Sequence, residues 1–305
     1  MVRNLRTVLS LFDGISCGQI ALVEEGFTFE KYYASEIDKN AINHTQLNFP
    51  STIQLGDVER WREWDIDWSK VDLIMAGSPC QGFSTQGNGM AFDDPRSKLF
   101  WRFAEILEHV KSFNPDVKFL LENVRMKDEH MLTITKTVGL YPVMINSALV
   151  SAQERKRYYW SNIKVNNDRG ILFTGIPQPK DRGLVVGDIV DLTASRRYAY
   201  LNEKLKNLPH KEVNGHYVYP TRFRTEGQIN TLKGKAYTLT CSNGAEILRS
   251  FIDDDGVIHT FTIEELKKLQ TVPDWYRFVG EYVPMANLLG NGWTIDVIRH
   301  ILSFM

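Results

Sequence analysis

Cysteine is scarce in this chain of 305 residues, and the three present, Cys17, Cys80 and Cys241, lie far apart. An odd and scattered set argues against a disulfide framework and is typical of a protein from a reducing compartment. None of the three belongs to a Cys-x-x-Cys or Cys/His cluster, the arrangement that binds zinc. We therefore expect neither a disulfide-bonded secreted scaffold nor a metal site.

Long apolar runs are also lacking. No stretch approaches the roughly 18 residues that a helix needs to cross a bilayer, so we expect no membrane role. The first residues enter a strand-like pattern directly and lack the layout of a signal peptide. These features predict an intracellular protein, cytoplasmic if a bacterium or a phage encodes it.

An excess of one charge is absent over the whole chain, whose formal net charge is -1. The charge is nevertheless uneven, because eleven Lys and Arg stand against six Asp and Glu between Gln178 and Lys235. A basic region beside a neutral one is typical of an enzyme that binds nucleic-acid phosphates with one part only. A solvated basic surface is the alternative interpretation.

Strand-like and helix-like segments alternate through the first half. The strand-like segments are Thr7–Phe12, Lys31–Ser35, Val71–Ala76 and Val117–Leu121, and the helix-like segments are Gln19–Glu25, Lys39–Leu47 and Ser97–Lys111. This order predicts an α/β fold with a doubly wound, mostly parallel sheet that binds ligands at the carboxyl ends of its strands.

The composition changes part-way along the chain, where Gly, Asn, Pro, Thr and Tyr become frequent. We interpret residues 178–280 as a second, smaller domain, and residues 1–177 with 281–305 as the first. The helix-like segment Thr294–Phe304 is expected to pack back on the first domain.

The first strand-like segment ends in a glycine turn, where the backbone can approach a ligand closely. Glu36 ends the second such segment, 22 residues after Gly14, where a carboxylate can accept hydrogen bonds from both ribose hydroxyls of an adenosine. The turn also matches the Gly-x-Ser-x-Gly hydrolase motif at Gly14, Ser16 and Gly18, but no coherent Asp and His partners support a triad.

Asp57 follows the strand-like Thr52–Leu55, where its carboxylate can accept a bond from an adenine amine while Val58 packs against the ring. Each carboxylate alone is more often a helix cap or a turn residue. Three such features at successive strand ends indicate a nucleoside cofactor. Because no Lys or Arg stands beside the glycines to bind phosphate, they favour S-adenosylmethionine over NAD or ATP.

Pro79 and Cys80 follow the third strand-like segment and precede a glycine-rich loop, so that a thiol is presented at the ligand-binding edge. A buried, inert cysteine is the alternative. Glu122 ends the next strand-like segment and is expected to face the same pocket. Further on, one face of an extended segment would carry Gln153, Arg155 and Arg157. The segment is either a solvated strand or a site at which the two arginines hold a carboxylate and a phosphate.

These residues carry a family resemblance. In order, the motifs are Phe12-Asp13-Gly14, Gly77–Ser84, Glu122-Asn123-Val124, Gln153-x-Arg155-x-Arg157 and Leu289-Gly290-Asn291. Together they resemble cytosine-5 DNA methyltransferases, over residues 7–163 and again from about residue 261 to the end. Within that family the chain looks like a compact bacterial or phage enzyme, with segments similar to the catalytic domain of animal de novo methyltransferases.

The resemblance implies a class I S-adenosylmethionine-dependent methyltransferase fold with a smaller target-recognition domain, and S-adenosylhomocysteine as the product. Catalytic roles are expected for Cys80, Glu122, Arg155 and Arg157. Cofactor contacts are expected at Phe12, Asp13, Gly14, Glu36, Ile37, Asp57, Val58, Pro79, Leu99 and Asn291. DNA contacts are expected at Gln81, Ser84, Arg96, Gln228 and Thr238.

In this mechanism the Cys80 thiolate adds to carbon 6 of a flipped-out cytosine, and carbon 5 then takes the methyl group. Glu122 would bond ring nitrogen 3 and the exocyclic amine, Arg155 would orient the base and Glu122, and Arg157 would hold the phosphate or sugar. The loop 81–96 would close behind the base, with Gln228 in the vacated space of the duplex.

One departure from the family pattern is Trp293 in Gly290-Asn291-Gly292-Trp293, where many bacterial members have Gly-Asn-Ser-Val. A transfer-RNA methyltransferase and a catalytically inactive accessory protein are the alternatives. The typical Cys-Phe-Thr string of the transfer-RNA branch is absent, and the four catalytic side chains are present. Double-stranded DNA is the expected partner, and a restriction endonuclease partner remains open.

Overall fold

The computed structural model describes residues 3–78, 99–205, 209–213, 215–218, 228–241 and 248–305. The chain forms two compact units. The first contains Met1–Ile145, Lys156–Gln178 and Ile298–Met305, and the second contains Asn146–Arg155 and Pro179–Val297. These bounds differ from the division proposed above, which stays a prediction.

A seven-stranded sheet forms the centre of the first unit, in the order β3-β2-β1-β4-β5-β7-β6. The strands are β1 (Arg3–Leu11), β2 (Phe27–Ser35), β3 (Ile53–Gln54), β4 (Val71–Gly77), β5 (Lys118–Val124), β6 (Val143–Asn146) and β7 (Lys156–Ser161). The pairs β2/β3, β1/β2, β1/β4 and β4/β5 are parallel, and β5/β7 is antiparallel. The prediction of a mostly parallel α/β sheet is confirmed.

Four helices accompany this sheet: α1 (Cys17–Glu24), α2 (Lys39–Asn48), α3 (Leu99–Phe113) and α4 (Asp128–Val138). Side chains alternate between the two faces of a strand, so neighbouring residues of β4 meet different helices. Ile74 belongs to the core cluster that includes Phe100 and Phe103 of α3. On the other face, α1 lies so close that a Cβ on Gly18 would come within 2.5 Å of the Met75 side chain. The sheet is therefore covered on both faces.

The chain ends α3 and starts the return to the sheet at Asn114. Its backbone N–H donates to Val110 O at 2.7 Å, and Pro115 cannot continue the helix because it lacks an N–H. The Asn114 side chain donates to Val71 O at 2.8 Å. This bond joins the end of α3 to the first residue of β4.

The short strands β8 (Val165–Asp168) and β9 (Ile171–Thr174) form an antiparallel hairpin in the same unit. The last helix of the chain, α8 (Ile295–Leu302), follows the helix-like segment expected from the sequence. In the first unit, the Arg3 guanidinium donates to the carbonyl oxygens of Leu302 and Ser303 at 3.5 and 3.4 Å. The end of the chain is thus bonded to β1.

The second unit has its own six-stranded sheet, in the order β10-β15-β14-β13-β12-β11. Its strands are β10 (Arg196–Arg197), β11 (Lys211–Val213), β12 (His216–Val218), β13 (Gln228–Thr231), β14 (Ser250–Ile252) and β15 (Ile258–Thr260). Its helices are α5 (Ala199–Leu205), α6 (Ile263–Leu269) and α7 (Tyr282–Asn291). Among the strand pairs described in this sheet, β13 and β14 pair in parallel and the others are antiparallel.

Within the described ranges, no helix is both long enough and apolar enough to cross a membrane.

Two phenylalanines of α3 provide a stability test. Phe103 is fully buried against the sheet, whereas Phe113 is 54% exposed. Phe103→Ala should lower the free energy of unfolding by about 3–5 kcal/mol, because it removes a ring from a packed core. Phe113→Ala, on the same helix, should lower it by less than about 1 kcal/mol. Urea denaturation of both variants measures this, and equal losses would contradict the packing described.

Candidate active site

Three loops meet at the carboxyl edge of β1, β2 and β3. The Asp13 N–H donates to Ser35 O at 3.1 Å, and the Ser35 hydroxyl donates to Gly56 O at 2.7 Å. The loop after each strand is therefore bonded to the loop after the next. This juxtaposition follows from parallel pairing, which brings Leu11 opposite Ser35.

The turn after β1 has an unusual backbone. Phe12, Gly14 and Ser16 have φ angles of 58°, 59° and 60°, in the left-handed region that glycine adopts without cost and that other residues rarely adopt. Such backbone persists only where its surroundings hold it. Here the Ser16 N–H donates to Asp13 O at 3.0 Å and its hydroxyl donates to the Asp13 carboxylate at 2.6 Å.

The Asp13 side chain points into the protein and is only 8% exposed. Besides Ser16, the hydroxyl of Tyr32 donates to it at 3.0 Å. Burial raises the pKa of the Asp13 carboxyl from 3.8 to about 6, although the hydrogen bonds from serine and tyrosine lower it. The carboxylate therefore supports the turn from inside, and the predicted cofactor contact of Asp13 stays a prediction. Tyr32 gave no sign of this role in the sequence.

Glu36 is half-buried, and backbone N–H groups surround its carboxylate. Oε2 accepts from Gly14 N at 2.8 Å, and Oε1 accepts from Ile37 N at 2.7 Å and Asp38 N at 2.9 Å. The carboxylate therefore links the turn after β1 to its own loop. A ribose diol that binds Glu36 would replace some of these N–H groups as hydrogen-bond donors to the carboxylate.

The other predicted cofactor residues of the first unit differ in exposure. Ile37 is 71% exposed, which provides an apolar surface beside Glu36, and Val58 is buried. Asp57 is exposed and accepts from Glu59 N at 2.9 Å, so it caps the short 3₁₀ helix Val58–Glu63. Leu99 begins α3 and packs against the core.

The edge continues at β4 and β5, where Gly77 pairs with Glu122. The Asn123 side chain donates to the Ser78 hydroxyl at 3.0 Å. The motif at the end of β5 is thus bonded to the residue that leads into Pro79 and Cys80. The sequence predicted the neighbouring strands, but it did not indicate the role of Asn123.

An ion pair lies at this edge. Arg157 Nε is 3.0 Å from Glu122 Oε1, and the two side chains are 14% and 10% exposed. The antiparallel pairing of β7 with β5, which sets Arg157 opposite Val124, brings this cation to the carboxyl end of β5. An arginine against Glu122 was expected, but the expected residue was Arg155.

Five predicted site residues lie outside the described part of the chain: Pro79, Cys80, Gln81, Ser84 and Arg96.

Arg155 belongs to the second unit and is 5% exposed. Its guanidinium donates to the carbonyl oxygens of Leu239, Gly290 and Gly292 at 3.1, 3.2 and 2.9 Å. Gln153 is fully buried, and its side-chain oxygen accepts from Leu239 N at 2.7 Å. Gln153 and Arg155 are buried while Glu154 between them is exposed, whereas Arg157 and Tyr158 are both half-buried. The proposed contact of Arg155 with a base stays a prediction.

The remaining candidates also lie in the second unit. Thr238 Oγ1 donates to Glu154 O at 2.5 Å, and Gln228 begins β13. Asn291, the last residue of α7, is exposed, and its side-chain oxygen accepts from the Cys241 thiol at 3.0 Å. Trp293, the departure from the family pattern, is 9% exposed.

Residues 6–305 match the family described as C-5 cytosine-specific DNA methylase. The chain belongs to this family.

Relatives include the type II methyltransferases M.DsaV of Dactylococcopsis salina and M.HaeII of Haemophilus aegyptius. They are 26% and 28% identical, over 97% of this chain and 85% and 92% of theirs. Among solved structures, a mutant of Spodoptera frugiperda DNMT2 has a TM-score of 0.66 at 19% identity, covering 98% of this chain and 99% of that one. A putative DNA modification methyltransferase encoded within an E. coli prophage has a TM-score of 0.61 at 20% identity, covering 98% of both.

These findings confirm the resemblance, the methyltransferase fold and the predicted activity of a DNA (cytosine-5) methyltransferase. The structural neighbours, at this identity, support the fold alone. Within the described residues, no group of three or more His, Cys, Asp or Glu side chains could hold a metal ion.

The buried Asp13 of the methyltransferase gives a pH test. Its carboxyl has a pKa of about 6 in the folded protein against an ordinary value of 3.8, so the folded state binds more protons between these values. The contribution of Asp13 to stability therefore falls as the pH rises through this window. The quantity to follow is the unfolding free energy of Asp13→Asn minus that of the wild type. This difference should rise by up to about 3 kcal/mol between pH 4 and pH 7.

Urea denaturation over this pH range measures the difference. The exposed Asp65→Asn is the control for losing one negative charge. A difference for Asp13→Asn that stays flat from pH 4 to pH 7 would show that the carboxyl does not titrate as described.

Proposed function

We propose that this methyltransferase binds S-adenosylmethionine at the edge of β1, β2 and β3 and methylates carbon 5 of a flipped-out cytosine in duplex DNA through a covalent bond to Cys80. The family membership supports the reaction. The pairing of Gly77 with Glu122 supports the assignment of residues. It places the end of β4, which precedes Pro79 and Cys80 in the sequence, beside the Glu122–Arg157 ion pair.

The donor set at the first three strand ends fits this cofactor. Its residues supply carboxylates and backbone groups, and no Lys or Arg lies in the turn Phe12–Gly18 or next to Glu36 and Asp57. This set suits a nucleoside that carries positive charge and no phosphate. When bound, the cofactor supplies an electrophilic methyl group on a sulfonium. Glu36 would hold the ribose, Asp57 the adenine amine, and Ile37 and Val58 would line the ring.

Cys80 follows Gly77 by three residues in the sequence, and Gly77 pairs with Glu122. We therefore assign the Cys80 thiol to the pocket that Glu122 faces. The thiolate forms a bond to carbon 6 of cytosine, and the electron pair of the 5,6 double bond moves to carbon 5, which becomes nucleophilic. After carbon 5 takes the methyl group, a base removes its proton, the carbon–sulfur bond breaks, and the thiolate returns.

Glu122 would hold the base during this addition. Protonated or sharing a proton, it would bond ring nitrogen 3 and the exocyclic amine and so stabilise the negative charge that develops on the ring. Arg157 lies against Glu122 Oε1 and fixes the direction of the carboxyl group. Because the pair is largely buried and already oriented, the carboxyl group needs little rearrangement when the base enters.

The covalent step has a direct test. Duplex DNA that carries 5-fluorocytosine cannot lose its carbon 5 substituent, so the wild type with S-adenosylmethionine should form a complex that survives denaturing electrophoresis. Cys80→Ala should form none. Duplex with ordinary cytosine is the control, and transfer RNA with the same substitution tests the alternative substrate. An adduct of Cys80→Ala equal to that of the wild type would remove Cys80 from the mechanism.

Glu122 separates catalysis from cofactor binding. Glu122→Gln keeps the shape of the side chain but removes the carboxyl group that can share a proton with ring nitrogen 3, so turnover should fall by about 10²–10⁴-fold. Calorimetric affinity for S-adenosylhomocysteine should stay close to that of the wild type. Tritium transfer to duplex DNA measures the turnover. Full activity of this variant, or a parallel loss of cofactor affinity, would contradict the role of Glu122.

A further inference from the structure

The segment Thr238–Cys241 in the second unit has no regular secondary structure. Three of its polar backbone groups, Leu239 N, Leu239 O and Thr240 O, are nevertheless bonded by side chains. As described above, Gln153 and Arg155 bond the N–H and the carbonyl of Leu239. The conformation of an irregular segment that is bonded in this way is fixed by surrounding side chains rather than by the backbone hydrogen bonds of a helix or a sheet.

Arg249 holds the same segment from another direction. Its side chain is among the largest that are fully enclosed, and the residue is 2% exposed. Nη2 donates to Thr240 O at 2.7 Å and to the side-chain oxygen of Asn287 on α7 at 2.7 Å. One nitrogen therefore joins the segment to a helix.

The end of α7 lies directly against the segment. A Cβ on Gly290 would lie 3.0 Å from the Thr240 carbonyl, closer than an ordinary van der Waals contact, so glycine favours this approach. The next residue, Asn291, accepts from the Cys241 thiol. Four residues of one unit thus contact the stretch Leu239–Cys241 and fix its direction: Arg155, Arg249, Gly290 and Asn291.

Burying two guanidinium groups is costly unless each finds good acceptors. The acceptors here are mainly carbonyl oxygens of irregular backbone, so the arrangement gives this segment a defined shape. Thr238 and Thr240 are half-buried and Cys241 is exposed, so the fixed segment still has groups accessible from outside. A fixed irregular backbone with accessible polar groups is typical of a ligand-contacting surface. Residues 179–235 of the basic stretch belong to the same unit.

We propose that Arg249 is a positioning residue for DNA recognition, which holds Thr238–Cys241 in the conformation that contacts duplex DNA through its bonds to Thr240 and Asn287. This inference rests on the proposed function, since it takes duplex DNA as the substrate. No motif in the sequence singled out Arg249.

The test separates DNA binding from cofactor binding. Arg249→Met keeps the length of the side chain but removes both bonds, so the KM for a long duplex of mixed sequence should rise about tenfold, the effect of losing charge-assisted hydrogen bonds. The value of kcat at saturating DNA and the calorimetric affinity for S-adenosylhomocysteine should stay near those of the wild type. Arg249→Lys should recover part of the loss, because a single nitrogen makes both bonds.

Lys267→Met is the matched control. Lys267 is a cation of the same unit that is 3% exposed and donates to Glu264 and to Asp274 O. Its loss should lower the melting temperature without changing the KM for DNA. A wild-type KM in Arg249→Met, or an equal rise in Lys267→Met, would overturn the proposal.

Asn287→Leu covers the case in which Arg249→Met does not fold. It removes one acceptor while Arg249 keeps its bond to Thr240, so the KM for DNA should rise by a smaller factor. An unchanged KM for DNA in this variant would also overturn the inference. A wild type that binds S-adenosylhomocysteine and methylates no duplex would instead remove the proposed function.

Discussion

The parallel pairing of β4 with β5 sets Gly77 opposite Glu122 and thereby joins two parts of the chain that are 45 residues apart at Ser78 and Asn123. Because parallel strands end at the same edge of a sheet, Ser78 after β4 and the motif at the end of β5 are neighbours. The antiparallel β7 enters the sheet at this edge, and Arg157 near its start meets Glu122. Three strands in their observed register thus assemble the group of side chains on which the proposed chemistry depends.

The carboxylates at this edge are stabilised in three different ways. Glu122 faces a guanidinium, Glu36 accepts three backbone N–H groups, and Asp13 receives hydroxyl donors in a buried position. Burial raises the pKa of the Asp13 carboxyl to about 6, because the neutral hydroxyls around it offset only part of the desolvation cost. The glycine turn is therefore supported by a group whose charge depends on pH.

In the second unit, buried arginines take the place of regular secondary structure. Arg155 and Arg249 donate to carbonyl oxygens at the end of α7 and in the segment 238–241. A guanidinium suits this task because its several N–H groups can reach acceptors on different segments. The cost of burying each cation is offset only when all these acceptors are in place, so the two segments are held together.

The sequence by itself determined the family and the order of the first strands and helices, and it indicated that Glu36 and Glu122 stand where strands end. Strand composition, glycine turns and the Pro-Cys and Glu-Asn-Val motifs are local features, and local features can be read from adjacent residues. Only the tertiary structure decided which arginine meets Glu122, that Asp13 points inward to Tyr32, and that Arg249 bonds Thr240. These contacts depend on strand register and on side-chain direction across segments distant in the chain, where a shift of one residue would reverse every side chain.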